Sequence, residues 1–235
     1  MTGEVAVVVG VGPGLGKAVA KGFSLQGMKV AMAARTPDKL DALVDWSPAA
    51  EVRSYGCDAT QPAEVNALFE AVERDLGSPS VVVFNAGTFR PGGILDIAPE
   101  DFEACWRIGC FGGFLVGQAA ARAMAPGGSG TIIFSGATAS LRGGARFVNL
   151  ASPKFGLRAV VQSMARELGP QGLHVAHVII DGQIDSERYR HLGEERGPDS
   201  LLQPDAIAEA YVQLHRQHRS AWTLELDLRP WVERF

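Results

Sequence analysis

The sequence is poor in cysteine, in clustered histidine, in basic runs and in long apolar stretches, and each shortage excludes something. Three cysteines, Cys57, Cys105 and Cys110, form no CxxC pair and no even framework. That argues against a disulfide scaffold and for buried thiols in a reducing, cytoplasmic setting. The five histidines are scattered; His215 and His218 share a polar helical stretch without a cysteine or carboxylate cluster, so solvated surface is expected there rather than a metal. No basic tract relieves a net charge of −4, so nucleic acid is not an expected partner. No apolar run reaches membrane-spanning length, and Met1 to Glu4 does not read as a signal peptide. What is present is globular: 46% hydrophobic and 20% charged residues over 235 positions, enough for one full core.

The most informative stretch is Val5 to Gly16, VAVVVGVGPGLG. Val5 to Val9 is a continuous apolar run, as in a strand of a parallel sheet buried on both faces. Gly10, Gly12, Gly14 and Gly16 follow, then an amphipathic run from Lys17 to Phe23. Strand, glycine turn and helix start stand in the order that binds a dinucleotide. Gly10 suits the tight turn, Gly14 a close approach of pyrophosphate, Gly16 close packing of helix on strand, and the helix N-terminus offers free N–H groups. The spacing, Gly10-x3-Gly14-x-Gly16, departs from the commoner GxGxxG.

Strands and helices then alternate. Lys29 to Ala34 predicts a second strand, and Thr36-Pro37-Asp38 predicts the start of a helix to about Trp46. Glu51 to Cys57 predicts a third strand ending at Asp58, with Thr60 capping a helix that carries Val65, Leu68, Phe69 and Val72. Ser80 to Phe84 is a fourth strand; a long helix is expected from Pro99 to about Met124, with Gly109, Gly112, Gly113 and Gly117 inside it. Those glycines suit the close approach of another element, such as a helix of a second subunit. Thr131 to Ser135, His174 to Ile180 and an alternating edge strand, Ala221 to Leu228, complete the sheet. Phe147 to Leu168 reads as a helix broken early by Pro153, Asp185 to Leu202 as irregular and mobile, and Asp205 to Gln217 as a short helix. The expectation is an α/β fold: one Rossmann-type domain over residues 1–235, a doubly wound parallel sheet of about seven strands with helices on both faces. A mobile substrate loop is expected at about 185–203, and ligands beyond the C-terminal strand ends.

In order and spacing these motifs resemble the short-chain dehydrogenase/reductase family over essentially the whole chain. The resemblance rests on the glycine turn, Asp58, Asn85-Ala86-Gly87 after the fourth strand, and Lys154 leading the helix FGLRAVVQSMARELGPQG. It implies hydride transfer with a nicotinamide cofactor, held by Gly10, Gly14, Leu15, Gly16, Arg35, Asp58, Asn85, Ala86, Gly87, Lys154 and Ile184. Arg35 ends the second strand, where an arginine suits the 2′-phosphate of NADP and an acid would select NAD; NADP(H) is therefore preferred, with NAD(H) possible. The plainer alternatives are a capping residue at Asp58, an ordinary turn at 85–87, and surface cations at Arg35 and Lys154.

The family's chemistry uses a tyrosine, a lysine four residues later, a serine and an asparagine. Carried over residue by residue, only Lys154 matches; the tyrosine position is Leu150, the serine position Ala137 and the asparagine position Gly109. The family's Pro-Gly after the sixth strand reads Asp181-Gly182. Substitutes are Ser135, Thr138 and Ser140, with Asn149 and Ser152 turned away from the direction of Leu150. The tyrosines are Tyr55, Tyr189 and Tyr211; Tyr189 and His191 fall in the expected substrate loop. The expected activity is NADP(H)-dependent hydride transfer to a small carbonyl, enone or imine with a degraded catalytic set. A second reading, from another class, is an inactive dinucleotide-binding protein for sensing or assembly. The resemblance also implies a homodimer or homotetramer.

Overall fold

A computed structural model describes residues 3–233. Seven parallel strands form one sheet in the order β3-β2-β1-β4-β5-β6-β7. They are β1 Val5–Val9, β2 Lys29–Ala34, β3 Val52–Gly56, β4 Val81–Phe84, β5 Gly130–Ser135, β6 Leu173–Ile180 and β7 Glu225–Leu228. The chain starts at the centre, winds out to β3, then crosses back to β4 and out to β7. The two directions part between β1 and β4, and the strand ends there face the crevice where such sheets bind ligands. β1, β4 and β6 are buried at every position; β1 and β4 are unbroken apolar runs, and β6 is apolar but for His174 and His177.

Helices α1 Leu15–Leu25 and α7 Pro204–Arg216 cover one face, where Val19, Phe23, Ile207, Tyr211 and Leu214 meet Val8, Val30 and Val83. Helices α2 Pro62–Asp75, α4 Gly112–Met124 and α5 Val148–Leu168 cover the other. The end of α1 follows from its sequence: Gly27 takes φ +81°, and the Gly27 and Met28 N–H groups return to Ser24 O and Phe23 O, a Schellman stop.

Several expectations need correction. The helix expected from Pro37 to Trp46 is two short 3-10 turns, Pro37–Lys39 and Asp41–Leu43. Thr36 makes no cap bond, while Asp41 accepts from Ser54, Asp45 from Lys17, and Trp46 donates to Ser24. Tertiary partners there outcompete the helical ladder. Thr60 does not cap α2; the cap position is Gln61, and Thr60 donates its hydroxyl and its N–H to Asp58 Oδ1. The last strand is shorter than expected, preceded by a 3-10 turn at Arg219–Ala221.

The long helix runs as α3 Pro99–Trp106, a π turn Arg107–Phe111, and α4. Over 99–127 it is long and apolar enough to cross a membrane, which corrects the expectation that no such run exists. Half of that window is buried, against β4, β5 and α5. Its glycines serve this chain rather than a second subunit. A Cβ at Gly113 would lie 2.4 Å from Leu157 Cδ1, at Gly117 2.8 Å from Phe134 Cζ, and at Gly112 3.2 Å from Ala59 O. Pro153 does not break α5, which is continuous through it. The stretch expected to be irregular contains a helix, α6 Arg190–Arg196, and a parallel bridge between Ile184 and Leu202. His215 is not solvated: its side chain is 9% exposed, with Nδ1 3.0 Å from Thr131 Oγ1. Among the described residues no group of histidine, cysteine and acidic side chains is placed to hold a metal.

Candidate functional site

Two hollows open beyond the C-terminal strand ends and share Leu15 and Asn85 as a common wall. The first, about 690 Å³, is lined by Gly10, Gly12, Gly14 and Gly16, by Arg35, Lys39 and Asp58, and by Asn85, Ala86 and Gly87. Two kinds of glycine line it. At Gly10, φ is +93° and a Cβ would lie 2.3 Å from Ala86 N; at Gly16 it would lie 2.7 Å from Val11 Cα. Chain packing alone demands glycine at both positions. A Cβ at Gly12 or Gly14 meets nothing within 4 Å. The backbone at these two positions is therefore open to whatever approaches from outside. Gly14 is also the N-cap of α1, whose first turn holds no acid and no side-chain cap. The positive end of the helix dipole therefore faces the cleft, which fits an anion such as a pyrophosphate. Exposed Arg35 and Lys39 place two cations near the end of β2.

The second hollow, about 760 Å³, is lined by Ala137, Thr138, Leu150 and Lys154, by Phe89, Phe147 and Tyr189, and by Arg142, Gln183 and Ile184. Leu150 and Lys154 lie one turn apart on α5 and share this wall, as their spacing requires. Ala137 and Leu150 line the same pocket, but Gly109 lines neither hollow. Gly109 is buried in the π turn, where a Cβ would come within 2.9 Å of Pro153 Cβ. Tyr189 reaches the pocket and His191 does not.

Lys154 is 8% exposed, and its ammonium donates to Ser135 O at 2.6 Å. Burial holds its pKa down at about 8. A Cβ on Gly87 would stand 4.0 Å from Lys154 Nζ, so the lysine and the Asn85-Ala86-Gly87 turn meet. The hydroxyl substitutes are committed elsewhere. Ser135 donates to Asn85 Oδ1 at 2.9 Å and pairs with Tyr211 at 2.8 Å. Thr138 donates to Asp181, and Ser140 accepts from Ala137 N–H at 3.2 Å beside His177. Asn149 donates to Arg90 O at 3.0 Å. Asp181, where the resemblance expects proline, is buried and also lies 3.3 Å from Arg229 Nη2.

Sequence reasoning missed three features. Phe89 and Phe147 form a pair at the pocket, ring centroids 4.8 Å apart, though they stand 58 positions apart in the chain. The pairing of Thr138 with Asp181 joins the ends of β5 and β6. Tyr211, on an amphipathic helix, carried no signal beyond an apolar-face position.

A larger hollow, about 1180 Å³, opens at the opposite strand ends around Glu4, Ser80 and Thr131, and none of the motif residues line it.

Comparison with known proteins fits this geometry. The family model described as short chain dehydrogenase matches residues 4–197. The chain is similar to a 3-oxoacyl-(acyl-carrier-protein) reductase of Escherichia coli, 27% identical over 204 residues, covering 87% of this chain and 83% of that protein. A crystal structure of a short-chain dehydrogenase from Rhodopseudomonas palustris is 37% identical, with a TM-score of 0.84, covering 98% of this chain and 100% of that one. A metagenomic short-chain oxidoreductase in complex with NADP is 27% identical, with a TM-score of 0.83, covering 99% of both chains.

Proposed function

The chain belongs to the short-chain dehydrogenase/reductase family, and from that premise we propose that it is an NADP(H)-dependent oxidoreductase acting on a small carbonyl, enone or imine. The observation that carries this reading is the junction of the glycine-lined cleft with the Lys154 pocket at Leu15 and Asn85. The cofactor, when bound, supplies or accepts hydride. Gly12, Gly14 and the α1 N-terminus would hold its pyrophosphate, Arg35 and Lys39 its 2′-phosphate, Asp58 its adenine, and Lys154 its nicotinamide ribose.

The protein's own contribution is position rather than acid catalysis. Holding donor and acceptor together is worth roughly 7–11 kcal/mol of barrier, whereas a positioned general acid is worth about 10²- to 10⁴-fold. At Leu150 and Ala137 the wall offers only hydrocarbon, and the nearby Ser135 and Thr138 hydroxyl protons are already given to Asn85 and Asp181. Acceptors that need no strong acid, such as conjugated enones and imines, are therefore favoured. The three free, buried cysteines support a reducing compartment, the cytoplasm, with burial pushing the Cys57 thiol up to about 12.

The first experiment is hydride transfer from NADPH and NADH across ketones, enones, quinones and imines. Turnover with at least one class is expected. Tight cofactor binding without turnover on any acceptor would leave the sensing or assembly reading in its place. Arg35→Ala is expected to weaken NADPH by roughly tenfold or more, as for a hydrogen bond to a charged group, and to leave NADH unchanged. Equal affinity for both cofactors, indifferent to Arg35→Ala, would refute the NADP preference.

A further inference from the structure

Tyr211 lies on the far side of the sheet from α5, is fully buried, and lines neither hollow of the site. It is nevertheless linked to the glycine turn by three hydrogen bonds in series. The directions of those bonds follow from counting donors. Gly10 O accepts only, so Asn85 presents its Nδ2 to it, at 3.1 Å. Asn85 Oδ1 then faces Ser135 and accepts the single Ser135 hydroxyl proton, at 2.9 Å. With that proton spent, the 2.8 Å pair between Ser135 Oγ and Tyr211 Oη is made by the Tyr211 proton. The result is one polarised chain: Tyr211 O–H to Ser135 O–H to Asn85 Oδ1, with the Asn85 amide locked onto Gly10.

We propose that Tyr211 is a positioning residue for the dinucleotide, acting through Ser135 and Asn85 to fix the glycine turn. Among the glycines of the turn Gly10 tolerates least, since a Cβ there would lie 2.3 Å from Ala86 N. Ser135 is also the node from which Lys154 hangs, by its carbonyl. One hydroxyl on α7 thus fixes the strand end that serves both hollows. An apolar core residue at 211 would fill the same space and leave Ser135 free to rotate its proton away from Asn85. Burial raises the phenol's pKa, which keeps it a donor across the working pH range.

This inference rests on the dinucleotide-binding reading and is tested by cofactor affinity, without turnover. Dissociation constants for NADPH and melting temperatures are measured for the full chain, for Tyr211→Phe, Ser135→Ala and Ser135→Thr, and for the Tyr211→Phe/Ser135→Ala double. Tyr211→Phe and Ser135→Ala are each expected to weaken NADPH by about tenfold. The double should be no weaker than the worse single, because both break one chain. Ser135→Thr, which keeps the hydroxyl, should stay within about twofold of the parent. Leu214→Ala, a buried cut elsewhere on α7, should lower the melting temperature as much or more while leaving the affinity alone. Unchanged NADPH affinity in Tyr211→Phe or Ser135→Ala overturns the inference, as does additivity in the double. A parent protein that binds neither NADPH nor NADH overturns the dinucleotide reading itself, and the inference with it.

Discussion

At Leu150 and Ala137 the pocket wall ends in methyl groups where the sequence resemblance implies a phenol and a hydroxyl, and both residues line the space such groups would serve. Lys154 is in place one turn away, buried and with its pKa lowered to about 8, so a phenol at 150 would stand beside an ammonium that favours its ionised form. Leu150→Tyr combined with Ala137→Ser is therefore expected to raise NADPH-dependent reduction of activated ketones or diones, by about 10²-fold over the parent. Groups that work as a unit are non-additive, so each single change should do little. A double variant that folds, binds NADP(H) and reduces nothing would show that the pocket has been rebuilt around the leucine.

At the scale of the element, the long helix and α5 pack through glycine. Gly109 meets Pro153, Gly113 meets Leu157, and on α5 Gly156 meets Cys110, where a Cβ would come within 2.7 Å of the sulfur. This is why introducing the asparagine that the resemblance implies at 109 differs from introducing the tyrosine it implies at 150. Gly109→Asn drives a side chain into the Pro153 ring. It is expected to cost about 1–3 kcal/mol of stability, read as a lower denaturant midpoint at constant slope. A variant as stable as the parent would mean that α5 shifts to admit it. The asymmetry was not legible in the sequence, where the glycines suggested close approach but not by which element.

For the whole molecule, burial of neutral histidines makes stability depend on acid. His177 is fully buried, its Nδ1 without a hydrogen-bond partner among the described residues but 3.8 Å from Glu225 Oε1, and its Nε2 3.3 Å from Ser140 Oγ. Burial, and secondarily the Lys154 charge, lower its pKa to about 4. The unfolded chain takes up that proton near pH 6.5 while the folded chain resists it until about pH 4. Stability is then complete above the unfolded value and falls as pH drops through this window, by roughly 3 kcal/mol for this one group. Urea unfolding between pH 7.5 and 4.5 should show the fall, and His177→Gln should make it shallower; a flat profile would contradict the assignment. At the same scale we expect a dimer or tetramer. Phe102, Trp106, Phe114 and Phe155 remain exposed on α3, α4 and α5, with Trp106, Phe111 and Phe114 stacked at 6.3 and 6.4 Å. Light scattering at micromolar concentration should report it, and Phe114→Glu with Phe155→Glu should yield a monomer.

The sequence by itself determined the parallel sheet, the order of its elements, the glycine turn and the face of α5 that Leu150 and Lys154 share. Each depends on local periodicity: an apolar run long enough for a buried strand, a glycine where φ turns positive, a four-residue repeat that keeps Leu150 and Lys154 on one face. Tertiary structure alone decided what those elements meet. It turned the segment after Arg35 from helix to turns because Lys17, Ser24 and Ser54 claimed its polar groups. It carried α5 unbroken past Pro153, which packs where Gly109 has no side chain. It spent the Ser135 and Thr138 hydroxyls on Asn85 and Asp181, partners 50 and 43 positions away. Hydrogen bonds across such separations leave no period in a sequence, because they are set by where strands end in space and not by the spacing along any one of them.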